Sequence, residues 1–146
     1  MNVVDIRFAT YNVLTPALAT PNEHRRCRPS DLRDKVRFNR MTKKLQKEVD
    51  LSAIIALQEV SHDWSARFKA FFEKNDYFYH GECYNIPVKG TRGIALAFPN
   101  QLYTVQELVR FSLIKISHVV LFVDCELCSG CPTNIRNSCM ALARNS

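Results

Sequence analysis

From Val3 to Asn12 the chain alternates Val4, Ile6 and Phe8 with Asp5 and Arg7, the period-two signature of a strand with Val4, Ile6 and Phe8 inward. Residues 15–30 carry Pro16, Pro21 and Pro29 without periodicity, which predicts a loop. Ser30 or Asp31 can cap a helix running to about Glu48, with Leu32, Val36, Met41, Leu45 and Val49 as its apolar stripe. Ala53 to Val60 is almost wholly apolar and too short for a helix, so it reads as a central strand covered on both faces. A strand, a helix and a strand in this order form a crossover, which favours two parallel strands in one sheet. Their carboxyl ends then share an edge, the place where open α/β sheets bind ligands, and Asn12, Gln58 and Glu59 arrive there together.

Downstream, Ser61 or Asp63 caps a second helix whose buried stripe is Trp64, Phe68, Phe71 and Phe72. Tyr77–His80 and Gly93–Phe98 read as strands joined by a loop containing Pro87, Lys89, Gly90 and Arg92. Phe111–Ile116 and His118–Cys125 form a further pair, and a last strand falls around Ser138–Ala143. The fold class is α/β. The pattern contains no internal repeat.

With 47% hydrophobic and 23% charged residues, the chain of 146 residues is expected to bury a core, which excludes a disordered segment. No apolar run approaches the ~20 residues of a membrane helix. Met1–Arg7 lacks a basic stretch followed by an apolar one, so an intracellular protein, cytoplasmic or nuclear, is expected. The net charge is +6, and residues 23–50 hold ten of the twenty Lys and Arg against five acids. That segment would attract a polyanion such as nucleic acid; the alternative is a solvated basic helix face. Of six cysteines, Cys125, Cys128, Cys131 and Cys139 are spaced for a metal test, but the fourth position suits zinc poorly, so reduced thiols are expected.

Glu59 needs a physical account. A carboxylate at the end of a buried strand is expensive unless it is paired or holds a cation. A salt bridge with Arg92 would satisfy it without any function, and Asn12 could be a turn or cap residue.

Ala9-Thr10-Tyr11-Asn12-Val13-Leu14 and Ile54-Ile55-Ala56-Leu57-Gln58-Glu59-Val60 resemble the first two motifs of the endonuclease/exonuclease/phosphatase family, in its deadenylase branch with nocturnin and angel proteins. Trp64, Phe71-Phe72, Tyr84 and Gly93–Phe98 extend the likeness over roughly residues 5–100. The resemblance implies a two-sheet α/β sandwich and a Mg²⁺-dependent phosphodiesterase, with Mn²⁺ as a substitute and RNA as the favoured substrate. It implies Glu59 as metal ligand and Asn12 as a residue of the same metal and catalytic site. Arg92, Lys89 and Arg37 are the candidates for contacting substrate phosphate. The family's later His, Asp-x-Asn and Asp-His motifs have no counterpart; His118 and Asp124 match by residue type alone and are not assigned. Residues 1–146 are therefore expected to be the amino-terminal portion of one truncated domain, able to associate through an uncovered sheet surface. A non-catalytic nucleic-acid-binding fragment using the basic helix 31–48 is the alternative.

Overall fold

The computed structural model describes residues 6–86, 90–113, 116–125 and 139–143, with side chains for 6–83 and 92–105. Strand β1 (Phe8–Asn12) leads through a long loop to helix α1 (Asp34–Val49), strand β2 (Ile54–Gln58) and helix α2 (His62–Lys74). Strands β3 (Tyr77–Ile86), β4 (Gly90–Pro99), β5 (Tyr103–Leu113), β6 (Ile116–Cys125) and β7 (Cys139–Ala143) follow.

The crossover is present. β1 and β2 are parallel, with Phe8 opposite Ile54 and Asn12 opposite Gln58. β4 runs antiparallel to β2, placing Ile94 beside Gln58, and β3 completes a four-stranded sheet in the order β1-β2-β4-β3. β5, β6 and β7 make a second, antiparallel sheet, and β7 runs close to β2 and β4. The expected two-sheet α/β arrangement is what the chain adopts.

One face of the first sheet is covered by the helices. Phe38, Leu45 and Val49 of α1 and Trp64, Phe68 and Phe72 of α2 bury against Ile55, Leu57, Ala95 and Ala97. Fully burying each large side chain is worth about 1.5–3 kcal/mol, so this layer is the main source of stability. The other face carries Ile54, Ala56, Ile94, Leu96 and Phe98, packed with Tyr103. Alternation along β2 sends neighbouring residues to the two layers, which is why the whole strand is apolar.

Three local expectations are corrected. β1 presents the opposite face from the one expected: Ala9 and Tyr11 pack on the helical layer, whereas Ile6 and Phe8 are 44% and 49% exposed. β1 is the edge strand of its sheet. Helix α1 starts at Asp34, not at Ser30 or Asp31, which lie in a 3-10 turn, Pro29–Leu32. Arg33 between them is extended, so Leu32 leaves the stripe and Phe38 enters it. β3 and β4 are also longer than expected, so Arg92 belongs to strand β4, opposite Tyr84, instead of to a loop.

Candidate functional site

The parallel ladder of β1 and β2 brings Asn12 and Gln58 side by side, and the Val13 amide extends it by donating to the Gln58 carbonyl at 2.9 Å. Strict alternation would send the next residue, Glu59, to the far face. Glu59 instead has φ of 57°, a left-handed backbone that L side chains disfavour. This turn breaks the alternation, and the Asn12 Nδ2 donates to Glu59 Oε1 at 3.0 Å.

The orientation of the Asn12 amide follows from both its ends. Its Oδ1 accepts from the Leu14 amide at 2.9 Å, so its nitrogen must face the carboxylate. Asn12 therefore directs a donor, not an oxygen, at Glu59. The second Glu59 oxygen, Oε2, is buried and has no hydrogen-bond partner among the described residues. Glu59 makes no ion pair among the described residues, so the expected alternative of a Glu59–Arg92 bridge is not formed. An unpartnered buried carboxylate oxygen fits a hard cation, which prefers oxygen donors and keeps several waters.

Arg92 lies on the same sheet face as Asn12 and Gln58 by register, two residues before Ile94. Its Nε is buried without a hydrogen-bond partner among the described residues. Gln58 is engaged elsewhere, donating to Thr10 Oγ1 at 2.7 Å. Lys89 lies outside the described residues.

Arg37 divides its guanidinium: Nη1 is buried with no hydrogen-bond partner among the described residues, whereas Nη2 serves the backbone. Its Nη2 donates to the carbonyls of Val13, at 2.9 Å, and Leu14. The guanidinium also sits 5.0 Å from the Trp64 ring, and burial pushes its pKa below the usual arginine value. Its role is to clamp the segment after Asn12, which the left-handed Leu14 (φ 51°) would otherwise strain. Asp34 locks the same corner by accepting from the Trp64 indole and from Arg67, the latter at 2.7 Å. Both supports depend on long-range placement, and no local spacing announces them.

On the other side, the Val60 amide donates to the Gly93 carbonyl at 2.9 Å, holding the residue after Glu59. Gly93 is required there: a Cβ would meet the Glu82 carbonyl oxygen at 2.2 Å.

Among the described residues no group of three or more His, Cys, Asp or Glu side chains converges. His118 and Asp124 sit on β6 of the second sheet, opposite Phe111 and Thr104. The zinc question at Cys125, Cys128, Cys131 and Cys139 falls outside the described side chains. No helix among the described residues is long and apolar enough to cross a membrane.

No family model and no curated protein sequence matches the chain. Solved structures do. ANGEL2, a 2',3'-cyclic phosphatase, aligns with TM-score 0.63 and 25% identity over 82% of this chain and 36% of its own. Its complex with adenosine-2',3'-vanadate gives 0.64 and 23% over 86% and 41%. The human Nocturnin catalytic domain with bound sulfate gives 0.56 and 18% over 86% and 48%. An endonuclease/exonuclease/phosphatase from Bacteroides vulgatus gives 0.62 and 16% over 98% and 52%. The chain thus spans less than half of the ANGEL2 and Nocturnin structures that it matches.

Proposed function

We propose that this chain, whose fold is that of the endonuclease/exonuclease/phosphatase proteins over part of their length, carries a divalent-cation and phosphate site of a phosphoesterase at Asn12, Glu59 and Arg92. The observation that carries the reading is the Glu59 carboxylate: one oxygen held by Asn12 at 3.0 Å, the other buried and unpartnered at the carboxyl rim of parallel strands.

In this reading Glu59 Oε2 would hold Mg²⁺, or Mn²⁺ in its place, and Asn12 fixes the carboxylate rotamer through Oε1. Bound there, the cation supplies charge that offsets the phosphoryl oxygens and favours ionisation of water. Arg92 would donate to a phosphate oxygen, since a buried guanidinium N–H without an acceptor is poised for an anion. Arg37 keeps Asn12 in register by holding the two carbonyls that follow it. RNA is the favoured substrate class: the wording of the two motifs is deadenylase-like, and ANGEL2 was solved with adenosine-2',3'-vanadate.

A second reading has one specific support. Among the described residues Glu59 belongs to no group of three or more His, Cys, Asp or Glu side chains, and a site with one carboxylate would lack the general acid–base assistance worth ~10²–10⁴-fold. In that case the chain binds nucleic acid without cleaving it.

Hydrolysis of an aryl phosphodiester and of single-stranded RNA, with Mg²⁺ or with chelator, separates the two. The enzyme reading expects Mg²⁺-dependent product release that Glu59→Gln abolishes. Hydrolysis unaffected by Glu59→Gln, or none at any Mg²⁺ concentration while RNA binding persists, rules it out.

A further inference from the structure

The positive charge of residues 23–50 is divided between the loop before α1 and the helix, where Lys35, Lys43, Lys44 and Lys47 are exposed. Arg37 is half-buried with Nη2 on the carbonyls of Val13 and Leu14, and Arg40 is paired with Asp31 at 2.7 Å. The acids of the segment are also occupied. Asp31 holds Arg40, Asp34 holds Arg67 and the Trp64 indole, and Glu23 is hydrogen-bonded to Thr20 Oγ1 at 3.4 Å. Arg25, Arg26 and Arg28 are left exposed with no acidic partner among the described residues.

These charges stand on a folded loop. The Glu23 and His24 amides donate to the Thr20 carbonyl at 3.2 and 3.0 Å, the Cys27 amide to His24 at 2.9 Å, and the Asp31 amide to Arg28 at 2.8 Å. An open cleft of ≈ 430 Å³ runs along it, lined by Asn22, Glu23, His24, Arg25, Arg26 and Cys27. The loop leaves β1 immediately after Asn12, and Arg37 of α1 ties its start back to Val13 and Leu14. The start of the loop, at Val13 and Leu14, is thereby anchored at the rim that carries Glu59.

We infer that the loop 22–28 is a binding surface for the phosphate backbone of single-stranded RNA, with Arg25, Arg26 and Arg28 contacting its phosphates. The inference rests on the phosphoester reading for its choice of partner, because an acidic protein would answer the same charge. Preformed turns hold three guanidinium groups, the side chain best suited to phosphate oxygens, with little ordering left to complete on binding. Each phosphate contact with a single strand contributes a salt slope of about −0.7, so three contribute about −2.

The test is fluorescence anisotropy of a labelled single-stranded RNA of about 12 nucleotides, a length several such sites span, in chelator and across a salt series. Arg25→Ala/Arg26→Ala/Arg28→Ala should weaken binding at least tenfold at low salt and reduce the magnitude of the slope by about 2. Lys43→Ala/Lys44→Ala, on the exposed surface of α1, should change neither. Arg26→Ala alone should reduce the slope by about 0.7, which keeps the test available should the triple variant not fold. Because binding is read in chelator, where no hydrolysis is required, failure of the hydrolytic reading leaves this outcome untouched, and the two failures are told apart. Unchanged affinity and slope in the arginine variants would overturn the inference. Equal losses in the lysine variant, or competition by polyglutamate as effective as by RNA, would overturn it as well.

Discussion

Asn12 and Glu59, 47 residues apart in the chain, meet at 3.0 Å although strand alternation alone would set them on opposite faces. The left-handed turn at Glu59 makes the meeting, and the parallel register of β1 and β2 supplies the neighbourhood. The arrangement combines backbone strain with an unsatisfied carboxylate oxygen, two unfavourable features that persist together at one position. Strain held against the fold's own stability is characteristic of functional positions.

Because φ at Glu59 is 57°, residues without a Cβ should be preferred there when stability is the only criterion. Glu59→Gly is expected to be more stable than Glu59→Ala by about 1 kcal/mol, within the range set by left-handed backbone in L residues. Chemical denaturation of the two variants measures it directly. Equal stabilities would mean that the backbone relaxes out of the left-handed region when the carboxylate is lost.

Arg37→Lys should behave as a disruptive change. An ammonium group keeps the charge but cannot reproduce the planar guanidinium that lies over Trp64 while its Nη2 serves the Val13 and Leu14 carbonyls. The expected loss is about 2 kcal/mol of folding stability, the scale of a charge-assisted hydrogen bond at a half-buried site. Urea unfolding of Arg37→Lys beside the parent reads this out, and a loss under half a kilocalorie per mole would show the clamp to be dispensable.

Gly93→Ala should open the β3–β4 ladder beside the site. The added Cβ meets the Glu82 carbonyl oxygen at 2.2 Å and the Cys83 Cα at 2.9 Å, backbone atoms that cannot step aside. A destabilisation of roughly 1–3 kcal/mol follows from overpacking, with faster hydrogen exchange at the Val60 amide that Gly93 accepts. Normal exchange at Val60 would contradict the packing argument.

Thiol reactivity should divide the two cysteines with described side chains. Cys27 is exposed on the loop, whereas the half-buried Cys83 places its Sγ 3.6 Å from the Val60 carbonyl, and burial pushes its pKa up. Alkylation followed by mass spectrometry should label Cys27 first in the native protein, since the thiolate is the reactive form. Equal rates at the two positions would show that the β3 edge opens readily.

The sequence made the crossover legible because Ala53–Val60 is apolar on both strand faces, as only a central strand tolerates. The same reasoning placed Asn12 and Glu59 at one rim. It misjudged the faces of β1, since Ile6 and Phe8 outweigh Ala9 and Tyr11 in hydrophobicity, while burial at an edge strand depends on what lies beyond it. The start of α1 was hidden by Pro29, Ser30 and Asp31, which suit a 3-10 turn as well as a helix cap. The inward turn of Arg37 could not be read locally: its partners lie 24 and 23 residues earlier, and charge alone marks arginine as a surface group.

The central claim, that Glu59 Oε2 is a ligand position for a divalent cation, is tested most directly by calorimetric titration of the folded protein with Mg²⁺, parent against Glu59→Gln and Asn12→Ala. Saturable binding is expected in the parent, absent from Glu59→Gln and weakened about 10- to 100-fold in Asn12→Ala, the usual effect of losing a residue that orients a metal ligand. Binding of equal strength in the parent and Glu59→Gln, or no binding in the parent, would contradict it.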